Sequence, residues 1–168
     1  MKIHIIAAGG TIDKIYFDEK SSYEVGEPQV ARVLRRANVT FEFEVIPLLR
    51  KDSLEMADED RRLIRDTISA TSGVRFVVTH GTDTMVETAL ALRGLPGKVV
   101  VLTGAMQPAR FRETDAGFNV ACAVTAAQTL PEGVYIAMNG QIFDPTRVRK
   151  NVEQNQFQEV SPEGMPEK

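Results

Sequence analysis

Short apolar segments alternate with helical segments along most of the 168-residue chain, and this alternation constrains the fold more than any other feature. The apolar segments have strand length and end in small or polar residues; they are 3–8, 41–46, 76–78, 99–102 and 134–137. Helical patterns fill the intervals 28–37, 57–70, 84–94 and 114–130. Parallel neighbouring strands need crossover connections, so this order predicts an α/β domain with a mainly parallel sheet and helices on both faces.

Two segments depart from this alternation. Residues 12–25 hold polar and aromatic stretches around Tyr16 and Tyr23, which we interpret as a mobile hairpin or lid. The last ten residues are polar and contain two prolines, so we divide the chain into a domain over 1–158 and a polar tail over 159–168. In the third helix, Thr84 precedes Glu87 by three residues, which is the spacing of a capping box.

Composition excludes several function classes. The chain carries 20 Lys and Arg against 23 Asp and Glu, a formal charge of −3, which disfavours nucleic acid as a partner. No apolar run approaches the roughly 18 residues of a membrane span, so we expect no membrane association. Cys122 is the only cysteine, which excludes an internal disulfide and a multi-cysteine metal site. We expect a cytoplasmic protein.

The residues that follow the predicted strands hold the candidate chemistry, because the carboxyl ends of parallel strands share one edge of the sheet. Thr11 follows a pair of glycines after the first strand, and Thr82 and Asp83 follow the third. Spacing alone also allows Thr11 to be a turn residue and Thr82 and Asp83 to cap a helix. Two hydroxyls and a carboxylate at one edge, with free helix amides nearby, favour acyl chemistry.

Histidine and lysine give weaker signals. His80, at the end of an apolar strand, is more typical of a hydrogen-bonded support than of a catalytic base, and His4 has no partner in sequence. Lys150 lies in a basic turn predicted after the last strand, where most lysines are merely solvated. The missing GxGxxG and GxxxxGK[ST] motifs make a nucleotide-binding module a weak hypothesis.

Three segments together resemble one family. AAGGTID at 7–13, VVTHGTDTMVETA at 77–89 and VVVLTGAMQPAR at 99–110 are similar to motifs of the bacterial-type L-asparaginases, and the similarity continues through 115–124 and 135–150. It covers that family's N-terminal domain, so the chain looks like a short-chain L-asparaginase. The resemblance implies a flavodoxin-like three-layer domain, here without a C-terminal domain.

The resemblance also implies roles for individual residues. Thr11 would be the nucleophile, assisted by a lid tyrosine that is Tyr16 or Tyr23, of which we prefer Tyr16. Thr82, Asp83 and Lys150 would form a second triad, in which the Thr82 hydroxyl relays a proton to the lysine. No metal or cofactor is expected.

Substrate would be held by Ser53, Asp83, Gly10 and Gly81. Long-chain members usually carry glutamine after the serine, where this chain has Leu54, and they complete the site from a neighbouring subunit's C-terminal domain. We therefore expect weak affinity for substrate and a homo-oligomer. The implied reaction is hydrolysis of L-asparagine to L-aspartate and ammonia; the alternative is a non-catalytic amino-acid-binding regulatory module on the same fold.

Overall fold

The structure, a computed structural model, describes residues 1–17 and 22–160. Their strands are β1 (Lys2–Gly9), β2 (Lys14–Phe17), β3 (Ser22–Val25), β4 (Glu42–Lys51), β5 (Arg75–Thr79), β6 (Val99–Thr103), β7 (Gly133–Met138), β8 (Gln141–Phe143), β9 (Val148–Asn151) and β10 (Gln156–Glu159). Their α-helices are α1 (Val30–Arg36), α2 (Asp58–Ala70), α3 (Met85–Ala91) and α4 (Ala116–Thr129).

A six-stranded sheet of order β4-β1-β5-β6-β7-β8 organises the fold. The first five strands in that order run parallel, and β8 pairs antiparallel with β7 at one edge. Along the chain, each parallel strand is joined to the next through a helical crossover, as the alternation of segments predicts. The predicted α/β fold class is therefore confirmed.

The helices cover both faces of the sheet, and each face has its own apolar core. Along β5, Phe76 and Val78 pack with α2 and α3, while Val77 between them packs with α1 and α4. Successive side chains of a strand point to opposite faces, so one short apolar run supplies both cores. Each fully buried side chain of this kind stabilises the fold by roughly 1.5–3 kcal/mol.

Several predicted boundaries were wrong, among them the end of the third helix, which is at Ala91 rather than at residue 94. Helix α1 begins at Val30 rather than at residue 28, because the backbone N–H of Gln29 donates to the Asp13 carboxylate (2.7 Å) and holds the preceding residues outside the helix. Strand β4 continues to Lys51, past the predicted end at residue 46. Pro47 lies within it, which an edge strand tolerates because one side of its backbone needs no ladder bond.

The capping box predicted for α3 does not form. The Thr84 side chain makes no cap hydrogen bond; its hydroxyl donates instead to the carbonyl of Ser53 (2.8 Å). The spacing of Thr84 and Glu87 was satisfied, but a carbonyl from another loop lies within reach and accepts a hydrogen bond from the hydroxyl, which orients the side chain towards that loop. This bond ties the start of α3 to the loop after β4.

The predicted hairpin is confirmed, with β2 and β3 antiparallel and Tyr16 opposite Tyr23. Its connection, residues 18–21, lies outside the described residues, as do residues 161–168 of the predicted tail. The first two residues of that tail are described: Glu159 ends β10, and the Val160 N–H donates to the carbonyl of Arg147 (2.9 Å). No helix in the described part of the chain is both long and apolar enough to cross a membrane.

Candidate active site

The loops after β1 and β5 are in backbone contact. A methyl group added at Gly10 would lie 2.3 Å from the amide nitrogen of Gly81, and Gly10 has a φ of 87°. Both the close approach and the left-handed conformation therefore require glycine at position 10. Because Thr11 and Thr82 each follow one of these glycines, the contact brings the two threonines to the same place at the sheet edge.

The loop after β4 packs against Gly81, beside the contact between Gly10 and Gly81. A methyl group added at Gly81 would lie 2.5 Å from the Ser53 hydroxyl oxygen. Ser53 is 1% exposed, and its hydroxyl has no hydrogen-bond partner among the described residues. A buried hydroxyl without a partner costs about 1–3 kcal/mol, which a ligand or a small loop movement could recover. The structure thus places three predicted binding residues, Ser53, Gly10 and Gly81, in one stack.

Lys150 joins this edge from the opposite end of the chain. It lies in β9, the first strand of the β9–β10 hairpin, rather than in the predicted turn. Its ammonium group donates to the hydroxyl of Thr82 (2.8 Å) and to the carboxylate of Asp83 (2.6 Å). The Lys150 side chain is 12% exposed and that of Asp83 is 39% exposed, so the lysine is enclosed and the carboxylate faces solvent.

These bonds bear on one alternative left open by spacing, that Thr82 and Asp83 cap a helix. Thr82 and Asp83 precede α3, but within the described residues neither side chain accepts a cap hydrogen bond from the helix. Both turn instead to Lys150, which is 68 residues from Thr82. The arrangement places the Lys150 nitrogen one hydrogen bond from a hydroxyl, a separation over which a proton can pass between the two groups.

A chain of hydrogen bonds holds the hairpin that carries Lys150. Phe157 lies opposite Lys150 and donates its backbone N–H to the Asn139 side-chain oxygen (2.8 Å). The Asn139 backbone N–H donates to Asn119 (3.2 Å), and the Asn119 amide donates to the carbonyl of Gly104 (3.1 Å). Lys150 is thereby tied to the loop after β6.

Sequence analysis missed both asparagines. Asn139 has a φ of 52° in the turn between β7 and β8, a conformation that asparagine tolerates better than most residues. An Asn-Gly pair between two apolar runs is a hairpin signal, so this turn could have been predicted. Its contact with Phe157 could not, because the distance in sequence is 18 residues.

Thr11 begins a short 3₁₀ turn, Thr11–Asp13, and is half-buried. The turn is fixed by backbone bonds, from Gly10 N–H to the carbonyl of Lys51 (2.9 Å) and from Ala109 N–H to the carbonyl of Ile12 (3.1 Å). The Thr11 hydroxyl makes no hydrogen bond with any described residue. The hydroxyl is therefore held in place by its backbone but is not engaged by a base.

Asp13 ends the same turn, and sequence analysis overlooked it. Its side chain is 1% exposed and accepts a hydrogen bond from the Gln29 N–H (2.7 Å). Burial raises the pKa of Asp13 to about 7, although the hydrogen bond from Gln29 works in the opposite direction. A carboxyl group that titrates near neutrality thus lies two residues from the candidate nucleophile.

The tyrosines lie on the hairpin surface. Tyr16 and Tyr23 are equally exposed, and their rings pack 5.2 Å apart, with Phe111 6.0 Å from Tyr23. In the described part of the chain, no hydrogen bond joins either tyrosine to Thr11. The structure therefore does not bring Tyr16 together with the other predicted catalytic residues.

His80 is a support, as predicted. It is fully buried, and burial lowers its pKa to about 4, so the ring is neutral at physiological pH. Nδ1 lies 2.7 Å from the carbonyl of Gly81, which can only accept, so Nδ1 carries the proton and Nε2 accepts from the Thr88 hydroxyl (2.9 Å). His4 packs against Phe76 with ring centroids 5.3 Å apart, away from this edge.

Known proteins share this sequence and this fold. The chain matches the family described as asparaginase, N-terminal, over residues 2–164. It is 34% identical over 165 residues to the probable periplasmic L-asparaginase of Haemophilus influenzae, which covers 88% of this chain and 46% of that protein. It is 33% identical over 162 residues to a component of the glutamyl-tRNA(Gln) amidotransferase of Aeropyrum pernix, covering 85% and 36% respectively.

A solved structure of a related protein has the same fold. The thermostable L-asparaginase from Thermococcus kodakarensis superimposes with a TM-score of 0.84 at 29% identity, covering 95% of this chain and 51% of that one. The chain thus spans about half the length of the L-asparaginases it matches. The resemblance carried by the sequence motifs is confirmed by these matches, and the chain belongs to the asparaginase family.

Proposed function

We propose that this protein hydrolyses the side-chain amide of L-asparagine to L-aspartate and ammonia. The observation that carries the proposal is the pair of hydrogen bonds from Lys150 to Thr82 and Asp83, formed beside the glycine contact that positions Thr11. Membership of the asparaginase family supports an amide as the substrate.

In the first half-reaction, the Thr11 hydroxyl oxygen attacks the amide carbon and gives up its proton. The carbon–nitrogen bond then breaks, ammonia leaves with that proton, and a threonine ester of the substrate remains. Backbone amides at the glycine-rich turns are suited to stabilise the oxyanion, and each such donor is typically worth about 10²–10³ in rate. A tyrosine of the β2–β3 hairpin, Tyr16 in our preference, would accept the Thr11 proton once the hairpin closes over substrate.

In the second half-reaction, water attacks the ester carbon, and Thr11 leaves as the restored hydroxyl. We assign removal of a proton from that water to Thr82 and Lys150: the Thr82 hydroxyl passes a proton across their 2.8 Å contact to Lys150 in its neutral amine form, and this relay returns the proton to the departing Thr11 oxygen. Asp83 orients the Lys150 ammonium at 2.6 Å. The scheme uses side chains of this chain alone and includes no metal or cofactor.

Substrate binding rests on the same edge. The exposed Asp83 carboxylate attracts an α-ammonium group, and the unpartnered Ser53 hydroxyl is available to an α-carboxylate after a small displacement of its loop. Gly10 and Gly81 would contribute by letting the loops after β1, β4 and β5 approach one another closely around the substrate. Leu54 is 73% exposed and offers no hydrogen bond, which supports weak affinity.

The decisive experiment measures ammonia release from purified protein supplied with L-asparagine. L-Glutamine belongs in the same panel, because a component of a glutamyl-tRNA(Gln) amidotransferase is 33% identical to this chain. Release from asparagine above all other amides supports the proposal. Binding of an amino acid without any ammonia would favour the regulatory-module alternative instead.

Two further expectations belong to the proposal. The open, solvent-facing Asp83 favours closure of the site by a second copy of the chain, so we expect a homo-oligomer in light scattering. We also place the protein in the cytoplasm, consistent with its single Cys122, although one relative is named as periplasmic. Cell fractionation of the native host tests that placement.

A further inference from the structure

A cavity of about 520 Å³ opens between α1 and the loop that joins β6 to α4. Four arginines line it: Arg32 and Arg36 from α1, and Arg110 and Arg112 from the loop. Its lining contains none of the residues assigned to amide hydrolysis. The cavity is therefore a separate feature of the molecule.

The positive charges of this arginine cavity are not balanced by carboxylates in the part of the chain that the structure describes. No ion pair within the described residues joins any of the four guanidinium groups to a carboxylate. The polar contact of Arg110 is with an uncharged group, the side-chain oxygen of Gln29 (3.2 Å). Some arginines elsewhere in the described residues are paired with a carboxylate, for example Arg61 with Asp58 (3.1 Å). In a chain of net charge −3, four arginines around one concavity with no carboxylate partner among the described residues are a marked local excess of positive charge.

The arrangement also works against the stability of the free protein. Arg32 and Arg36 are four residues apart on one face of α1, where like charges repel each other and destabilise a helix. That repulsion is offset when an anion sits between the two groups. Guanidinium groups match phosphate and carboxylate oxygens through paired N–H donors.

The walls of the cavity are well anchored. Gln29 is 5% exposed, and its backbone N–H is bound by the Asp13 carboxylate. The loop is held by Asp115, whose carboxylate accepts the backbone N–H groups of Met106 and Gln107 at 2.9–3.0 Å. The backbone positions that carry the arginines are consequently fixed before any ligand arrives, which lowers the conformational entropy lost on binding.

We propose that the arginine cavity binds a small anion that carries two or more negative charges on phosphate or carboxylate groups. Its volume falls within the range of small-molecule pockets, about 300–1,000 Å³. Its concave shape suits a compact ligand better than the backbone of a nucleic acid. The binding is independent of the proposed amide hydrolysis and is measured without an amide substrate.

The test is isothermal titration with inorganic pyrophosphate and, separately, with citrate, which distinguishes phosphate from carboxylate ligands. Sodium chloride at matched ionic strength controls for general charge screening. Arg36→Gln removes one cavity arginine, and Arg35→Gln is its control, since Arg35 is the neighbouring residue of the same helix and does not line the cavity. Both variants change the net charge equally and replace exposed side chains.

We expect one of the two probes to bind wild-type protein and Arg35→Gln with equal affinity. That probe should also raise the thermal stability of both proteins. Arg36→Gln and Arg112→Gln should each lose affinity by about 10-fold to 100-fold, the value of one charge-assisted contact. Equal loss in Arg35→Gln, or no binding of either probe at 10 mM (roughly the weakest useful affinity), would overturn the proposal. Binding of RNA but of neither probe would overturn it as well.

Discussion

The two sides of the candidate active site differ in how their side chains are held. On one side, Lys150, Thr82 and Asp83 are linked by hydrogen bonds of 2.6–2.8 Å. On the other, the Thr11 hydroxyl has no partner within the described residues, and Tyr16 is 51% exposed on its hairpin.

This difference indicates which groups of the proposed reaction are in place before substrate binds and which are not. The Lys150 side is preorganised before substrate binds, which electrostatic stabilisation requires. The Thr11 side has a fixed backbone but an unengaged side chain, so the proposed mechanism requires the β2–β3 hairpin to close over it. Enzymes commonly complete a catalytic group only when such a segment closes over the substrate.

The strongest way to test the comparison is to remove the hydroxyl of the Thr11 side. Thr11→Ala should lower turnover at least about 10³-fold, because the proposed acyl-enzyme cannot form. Folding should survive, since a half-buried methyl group remains and no hydrogen bond among the described residues is lost. Ammonia release and circular dichroism check both points, with the exposed Thr40→Ala as the matched control. An unchanged spectrum with activity within about tenfold of wild type would exclude Thr11 as the nucleophile.

On the Lys150 side, Lys150→Met should lower kcat by roughly 10²-fold, through loss of general-base assistance. The matched control is Arg149→Met, because adjacent residues of β9 point to opposite faces of the hairpin. Steady-state kinetics across pH gives the readout. If the lysine is only a solvated cation, both variants will keep the wild-type pH–rate profile.

The buried carboxyl group beneath Thr11 leads to a prediction on stability. Asp13 has its pKa raised from 3.8 to about 7, so the folded state favours the protonated form. Its contribution to stability is full below the unfolded pKa of 3.8 and is lost as the pH rises towards 7.

Asp13→Asn keeps an acceptor for Gln29 but cannot ionise. Relative to wild type, its free energy of unfolding should therefore rise by about 3 kcal/mol between pH 5 and pH 8. Urea denaturation at the two pH values measures this change. A difference between variant and wild type that is the same at both pH values would contradict the assignment.

The next prediction concerns substrate affinity, to which Asp83 on the Lys150 side would contribute. With Leu54 in place of an amide, we expect a KM near the millimolar range, one to three decades above that of a tightly binding relative, because each charge-assisted bond is worth about 1.5–3 kcal/mol. Leu54→Gln should lower KM by about tenfold and change kcat less, since the contact lies away from the reacting amide. A micromolar KM in the wild type would show that Ser53 and Asp83 suffice.

The smallest expected effect concerns the support of Lys150. Asn139→Gly preserves the left-handed backbone but removes the acceptor for Phe157, and one such bond is worth about 1 kcal/mol. We expect kcat to fall by about fivefold with KM unchanged. Asn139→Asp retains the acceptor and should stay near wild type. If the two variants lose the same activity, the hydrogen bond to Phe157 does not position Lys150.

Local patterns in the sequence were enough for much of the fold. Apolar runs such as 76–78 predict strands because a strand buried on both faces needs apolar side chains on both. The glycines at 9 and 10 mark a sharp turn, and parallel strand order places the loops that follow the strands at one edge. The edge that holds Thr11, Thr82 and Asp83 could therefore be predicted, and His80 could be recognised as a support.

What the sequence by itself determined, then, was the alternating fold, its glycine turns and the shared edge, because each depends on residues near one another in the chain. Spacing and periodicity could not show that Lys150 meets Thr82 from 68 residues away, which only the family resemblance implied, and tertiary structure alone decided that Arg110 reaches Gln29 from 81. It also decided that Asp13 is buried and that Thr84 bonds to Ser53 instead of capping its helix. These outcomes depend on which distant groups lie within hydrogen-bonding distance and on how much water remains around them, and a linear pattern carries neither quantity.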